Sequence, residues 1–168
     1  MYNIKKPMIV CLAGIFAALC CVATMISVPL PFGYFNLGDI FVILAGWILG
    51  PIGAVAGAIG STIADLLLGF AMYAPATFII KGAVALIAYY TYKLFSGKTE
   101  KKPIPIIASS FLAECIMIAG YFLFDAFVLG YGMGAVASLP GNALQGVASI
   151  IGSGLLFAAI KTTKLFYR

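Results

Sequence analysis

From Met8 to Val28 not one residue is charged. A helix of that length, at ~1.5 Å per residue, crosses a ~30 Å hydrocarbon core. The run is longer than the ~7–15 apolar residues of a signal peptide and has no clean small-residue cleavage site, so it reads as a retained first membrane helix. The same grain continues along the chain. Over its 168 residues only 9% are charged and 64% are hydrophobic, against the ~25% charged residues that a soluble domain uses to coat itself. The expected class is an all-α integral membrane protein, a single domain spanning residues 1–168.

Breaks in the apolar runs place the helices. Helix 1 is expected from about Pro7 to Ser27, ended by Pro29, Pro31 and Gly33. Helix 2 starts near Asp39 and stops at Gly50-Pro51, a C-cap glycine followed by a first-turn proline. Helix 3 runs to about Phe70, helix 4 from Pro75 to Lys93, helix 5 from Pro103 to Leu129, and helix 6 from Pro140 to Lys161. A charged loop (96–102) separates helices 4 and 5, and a loop with Gly130, Gly132 and Gly134 precedes helix 6.

Six transmembrane helices would leave both termini on one side. Lys5 and Lys6 precede helix 1, Lys93, Lys98, Lys101 and Lys102 lie between helices 4 and 5, and Lys161, Lys164 and Arg168 end the chain. The other connections carry no Lys or Arg, so both termini are expected in the cytoplasm. Basic residues at helix ends also account for the net charge of +5 without a nucleic-acid partner. Helix 2, at ~18 Å, is short for a crossing. The apolar stretch before it, Val28 to Phe35, is expected to fold as an outer lid shielded by protein; the alternative is a longer helix 2 starting near Phe35.

Within the spans or at their edges stand Asp39, Asp65, Lys81, Glu114 and Asp125. A charge at the bilayer centre costs about 2.5–3.5 kcal/mol on insertion scales, so such residues usually face a cavity. All but Glu114 fall in the outer half. Helical spacing adds Ser61 to Asp65, Thr77 to Lys81, a stripe of Glu114, Ile118, Tyr121 and Asp125 on helix 5, and Asn142, Gln145 and Ser149 on helix 6. Lys81 could instead pair with Asp65, and the amides could glue helices. Helix glue does not need four carboxylates around one lysine, so a ligand site is the stronger reading. Taken as ionised, these carboxylates disfavour phosphates and suit a neutral or weakly basic ring molecule. Tyr34, Phe35, Tyr73, Tyr121 and Phe124 are placed to stack on it.

Other chemistry is thinly represented. The chain has no His, so His-based acid–base catalysis is excluded. Cys11, Cys20, Cys21 and Cys115 lie in apolar runs without ligand spacing. No metal, no cofactor and no enzymatic activity are expected. Gly97-Lys98-Thr99 is not a P-loop, because Tyr92 occupies the place of its first glycine and no strand precedes it. Small residues form close-packing rows at Gly53, Gly57 and Gly60 on helix 3 and at Ala13-x-x-x-Ala17 on helix 1.

The string Gly33-Tyr34-Phe35-Asn36-Leu37-Gly38-Asp39, Leu49-Gly50-Pro51-Ile52-Gly53, Gly57-Ala58-Ile59-Gly60-Ser61, Ala64-Asp65-Leu66-Leu67, Tyr73-Ala74-Pro75-Ala76-Thr77 and Ile80-Lys81-Gly82 resembles the substrate-binding S components of energy-coupling factor (ECF) vitamin transporters. It is closest to the riboflavin-type group, which includes hydroxymethylpyrimidine and pyridoxine carriers. The resemblance implies capture of one vitamin from outside a prokaryotic plasma membrane, and association with a transmembrane coupling protein and two cytoplasmic ATPases. It carries Asn36, Asp39, Asp65, Thr77 and Lys81 over as pocket residues, and Ala13 and Ala17 as the contact for the coupling protein. Glu114, Asp125, Asn142 and Gln145 rest on the residue argument alone. A hydroxymethylpyrimidine or pyridoxine-like ring is the leading ligand, then riboflavin. The competing readings are an ion-coupled carrier using Asp65, Lys81 and Glu114 as a relay, and an intramembrane enzyme.

Overall fold

The computed structural model describes residues 6–29, 34–97 and 103–162. Six α-helices carry the fold: α1 (Lys6–Met25), α2 (Gly38–Leu49), α3 (Pro51–Leu67), α4 (Ala74–Ser96), α5 (Ile104–Leu123) and α6 (Leu139–Thr162). Four stretches are long and apolar enough to cross a membrane: Pro7–Met25, Ala74–Ser96, Ile104–Val128 and Gly132–Thr162. The short helix 2 expected from the sequence is found as α2 with 12 residues, and α3 with 17 residues also falls short of a full span.

The short α2 is central rather than peripheral. It packs against α1, α3, α4 and α6. Val42 to Ile48 are all buried, as a helix enclosed on every side requires. Protein rather than lipid surrounds it, so it does not need the length of a full crossing. Close backbone approach makes this possible: Gly46 lies against the Ala85 backbone of α4, and Gly53 of α3 against Ala45. Between α2 and α3 the chain turns at Gly50, whose φ of 61° is open to glycine, and Pro51 starts α3 where no amide donor is needed.

Polarity runs opposite to that of a soluble protein. Large apolar side chains such as Val10, Ile79, Leu94, Phe127 and Leu155 are exposed on the outside, whereas Asp39, Asp65, Lys81, Glu114 and Gln145 are buried. Such an arrangement suits hydrocarbon surroundings.

Three connections differ from expectation. The segment before α2 is not irregular: β1 (Ser27–Pro29) pairs antiparallel with β2 (Tyr34–Asn36), with Val28 opposite Phe35. Extended pairing satisfies backbone groups that the prolines deny to a helix, and Pro29 sits at a strand end where its missing donor is tolerated. The tip of the expected lid (30–33) lies outside the described residues. Helix 5 does not continue regularly to Leu129; a π turn spans Phe124–Val128. The glycine loop becomes a 3-10 helix over Gly132–Ser138, after Gly130 with a φ of 75°. Lys93 and Lys161 occupy the last turns of α4 and α6. The remaining expected cytoplasmic charges Lys5, Lys98, Lys101, Lys102, Lys164 and Arg168, and the Lys6 side chain, lie outside the description.

Candidate ligand-binding site

At one end of the bundle the strand pair, α3, the start of α4, the end of α5 and the start of α6 enclose a cavity. Its empty space is about 410 Å³, counted to its mouth. Tyr34 and Asn36 enter from β2, Asp65 from α3, and Tyr73 and Thr77 from the start of α4. Tyr121 of α5, Asp125 of the π turn, and Asn142 and Gln145 of α6 complete the lining. The stripes read along separate helices thus converge on one volume.

Asp39, Lys81 and Glu114 do not line it. They form a buried layer alongside. Lys81 Nζ donates to both oxygens of Asp39, at 2.7 and 2.8 Å, and lies 5.3 Å from the centre of the Tyr121 ring. The pairing of Lys81 with Asp65 considered above is therefore replaced by a pairing with Asp39, because α2 brings its first turn against α4. Gln145 ties this layer to the strands. Its Nε2 donates to Asp39 Oδ2 at 2.7 Å, while its Oε1 accepts from the Asn36 backbone amide and side-chain Nδ2, both at 3.0 Å. Asn36 Oδ1 in turn accepts from the Gly38 amide at 2.8 Å, satisfying a donor at the start of α2.

The remaining carboxylates are under-satisfied. Asp65 accepts from the Tyr34 hydroxyl through one oxygen, and its Oδ2 has no partner among the described residues. Asp125 Oδ1 and both oxygens of Glu114 are buried without partners among the described residues. Glu114 has room because residue 146 is glycine: a Cβ there would stand 3.4 Å from Oε2. Burial first, then the Asp65 carboxylate, push the Tyr34 hydroxyl above its ordinary value, so it stays a donor. Burial and then Asp125 do the same to Tyr73, which precedes α4.

Aromatic expectations divide. Tyr34, Tyr73 and Tyr121 line the cavity, but Phe124 stands behind Tyr73, ring centres 5.6 Å apart, and Phe35 faces Val28 across the strand pair. Phe70 backs Tyr34 at 4.8 Å. Thr77 and Tyr121 share a hydrogen bond of 2.9 Å. The Ser61 and Ser149 hydroxyls, read as members of the polar stripes, are buried without partners among the described residues. Thr24 is a buried hydroxyl the sequence reading missed; it abuts Gly38, and nothing in an apolar run marks it. The π turn that carries Asp125 also has no sequence signal, though such turns gather at functional sites.

On α1 the row expected to dock a partner is partly turned inward. Ala13 and Ala17 are half-buried against the core, and Gly60 of α3 meets the Ala17 backbone. Gly14 and Ala18, one residue on, are exposed, and nothing lies within 4 Å of a Cβ built at Gly14.

The family profile of the ECF-type riboflavin transporter S component matches residues 4–162. The chain belongs to that family. An S component is a membrane subunit that binds a small vitamin for an ECF transporter, rather than an enzyme. This S component is also 34% identical over 135 residues to a Pyrococcus woesei protein described as the uncharacterized protein in the gap 3′ region, covering 78% of this chain and 86% of that protein. Its fold is similar to that solved in "Structure and mechanism of the S component of a bacterial ECF transporter", with a TM-score of 0.72 at 19% identity, over 96% of this chain and 99% of the other.

Proposed function

We propose that this S component captures a single-ring vitamin or precursor at the extracellular face, as one substrate-binding domain. A hydroxymethylpyrimidine or pyridoxine-like ring is the leading candidate, and riboflavin is next. The observation that carries this reading is the convergence of Tyr34, Asp65, Tyr73, Tyr121, Asp125 and Asn142 on one cavity inside an otherwise apolar shell. Buried polar groups are costly in a membrane protein, and a hollow that gathers them is the usual reason they are kept.

Uptake then runs through a coupling protein that docks on α1 around Ala13 and Ala17 and is driven by two cytoplasmic ATPases, in a prokaryotic plasma membrane. Both termini face the cytoplasm after six crossings, a reading supported by Lys93 and Lys161 in the last turns of α4 and α6. For the proton-relay alternative, no direct hydrogen bond links Asp65, Lys81 and Glu114 among the described residues; Lys81 pairs with Asp39 and Asp65 accepts from Tyr34.

The test is to purify the protein and identify by mass spectrometry the small molecule that travels with it, then to measure uptake in proteoliposomes. A bound pyrimidine, pyridine or flavin and uptake that needs both ATP and the coupling subunits are expected. Gradient-driven uptake by this chain alone would overturn the proposal.

A further inference from the structure

The lining of the cavity offers acceptors that no described residue meets. Asp65 is 1% exposed and Asp125 2%. Each keeps one oxygen, Asp65 Oδ2 and Asp125 Oδ1, without a donor. Asp65 comes from α3 and Asp125 from the π turn that follows α5, so the two oxygens belong to different walls. Buried acceptors are nearly always satisfied in folded proteins, and an exception asks for a missing partner.

Thr77, Tyr73 and Asn142 carry donors on the same wall, but no described side chain reaches either of these two oxygens. No Lys or Arg lines the cavity. Lys81 is held by both oxygens of Asp39 and lies against the Tyr121 ring. Gln145 gives one of its two amide N–H donors to Asp39, and the Tyr34 hydroxyl is committed to the other oxygen of Asp65. With Glu114 unpartnered nearby, the region carries more carboxylate than cation.

We infer that the cavity selects a heteroaromatic ring bearing N–H donors on two edges, at least one of them part of a cationic group, either an alkylammonium or an aminopyrimidine protonated on its ring nitrogen. This rests on the vitamin-pocket reading above and names the chemistry that pocket recognises. One donor meets Asp65 Oδ2, the other meets Asp125 Oδ1, and the ring lies against the tyrosines. A cationic N–H meeting a carboxylate carries charge on both sides of the hydrogen bond and a hydroxyl on only one, so the cation is discriminated from the hydroxyl at the same place. A phosphorylated ring brings an anion to a wall with two carboxylates and no free cation, and is rejected.

The experiment is calorimetric titration of the full chain in detergent, stripped of any bound molecule, with matched probes. Pyridoxamine is compared with pyridoxine and with pyridoxamine 5′-phosphate. The 4-amino-5-hydroxymethyl-2-methylpyrimidine is compared with its 4-hydroxy analogue, and riboflavin is run alongside. In whichever pair binds, the amine is expected to bind about tenfold tighter or more, as hydrogen bonds to charged groups allow. The phosphate should bind weakest. Asp65→Asn and Asp125→Asn conserve volume, and each should cut the amine preference to about threefold or less, since the charge assistance is lost.

Equal or tighter binding of the hydroxyl member overturns the inference, as does a preference that survives both substitutions. Binding of riboflavin alone also overturns it, while the vitamin-pocket reading stands. The co-purifying molecule gives an independent check, because a ring without amino donors refutes the inference even if no probe binds. A protein that carries no ring compound and binds no probe refutes both readings.

Discussion

Lys81 and Asp65 are both ionisable and buried to a similar extent, yet their contacts assign them different work. Lys81 is enclosed and locked to Asp39, away from the cavity lining, whereas Asp65 presents a free oxygen at it. Removing one member of a buried ion pair leaves its partner uncompensated, at a cost of about 3–5 kcal/mol. Lys81→Leu or Asp39→Leu should therefore lower the unfolding temperature of the empty protein sharply, read by a thermal-shift assay in detergent. The double Leu variant should recover much of that loss, because an apolar pair can replace a buried ion pair of similar volume. Asp65→Leu is expected to do the reverse, keeping the unfolding temperature near wild type and abolishing measurable ligand binding. If Lys81→Leu left stability untouched, the ion pair would not be structural. Depth along each helix was legible in the sequence, since counting residues from the helix ends placed Asp39, Asp65, Lys81 and Asp125 in one layer. Rotation between helices was not, which is why the partner considered for Lys81 was Asp65 and not Asp39.

At the level of elements, two features set what each segment tolerates. The first is the glycine contact between α3 and α1. A Cβ at Gly60 would run into the Ala17 backbone, whereas one at Gly14 would meet nothing within 4 Å. Gly60→Leu should therefore disrupt the α1–α3 pair and lower the yield of folded protein in detergent. Gly14→Leu should fold and bind ligand normally but lose ATP-driven uptake, if the outward side of α1 carries the coupling protein. Full uptake by Gly14→Leu would move the docking surface elsewhere. The second feature is the latch that Gln145 makes between β2 and Asp39. Gln145→Leu strips the Asn36 amide and Asp39 of a partner each, and hydrogen bonds to charged groups are worth about 1.5–3 kcal/mol. Hydrogen exchange across Ser27–Asn36 should accelerate about tenfold or more, and the bound ligand should dissociate faster. Unchanged exchange would show that the strands hold without α6. The turn at Gly50-Pro51 and the small-residue rows were visible in sequence because they have composition. The strand pair was not, because Ser27-Val28-Pro29 and Tyr34-Phe35-Asn36 are too short to show alternation.

For the whole molecule, charge decides orientation and length decides the number of crossings, and the two rest on different observations. The apolar exterior and polar interior were foreseeable from 9% charged residues, since so few charges cannot cover a hydrated surface. That α2 is wrapped by α1, α3, α4 and α6 was not, because an enclosed helix and a lipid-facing one are equally apolar. Its enclosure matters for topology. A 12-residue helix shielded by protein could still connect the two faces with α3 following it back, which would give six crossings despite two short helices. If α2 and α3 formed only a half-way excursion, α1 would end and α4 would begin on the same side as before, and the number of crossings would be four. Both cases leave the termini together, so labelling of the termini alone cannot separate them, but the turn at Gly50 can. With six crossings, a cysteine placed at Gly97, Thr162 or Ile52 in a protein whose native cysteines are replaced should react with a membrane-impermeant maleimide only from the cytoplasmic side. One at Gly130 should react only from outside. Ile52 is exposed next to the turn, so its thiol would be accessible if the turn reaches the inner face. Labelling at Gly97 and Thr162 from inside, with Ile52 silent from both sides, would mean that α2 and α3 end within the bilayer. That outcome would remove the six-crossing arrangement while leaving the cavity at the outer end of the bundle.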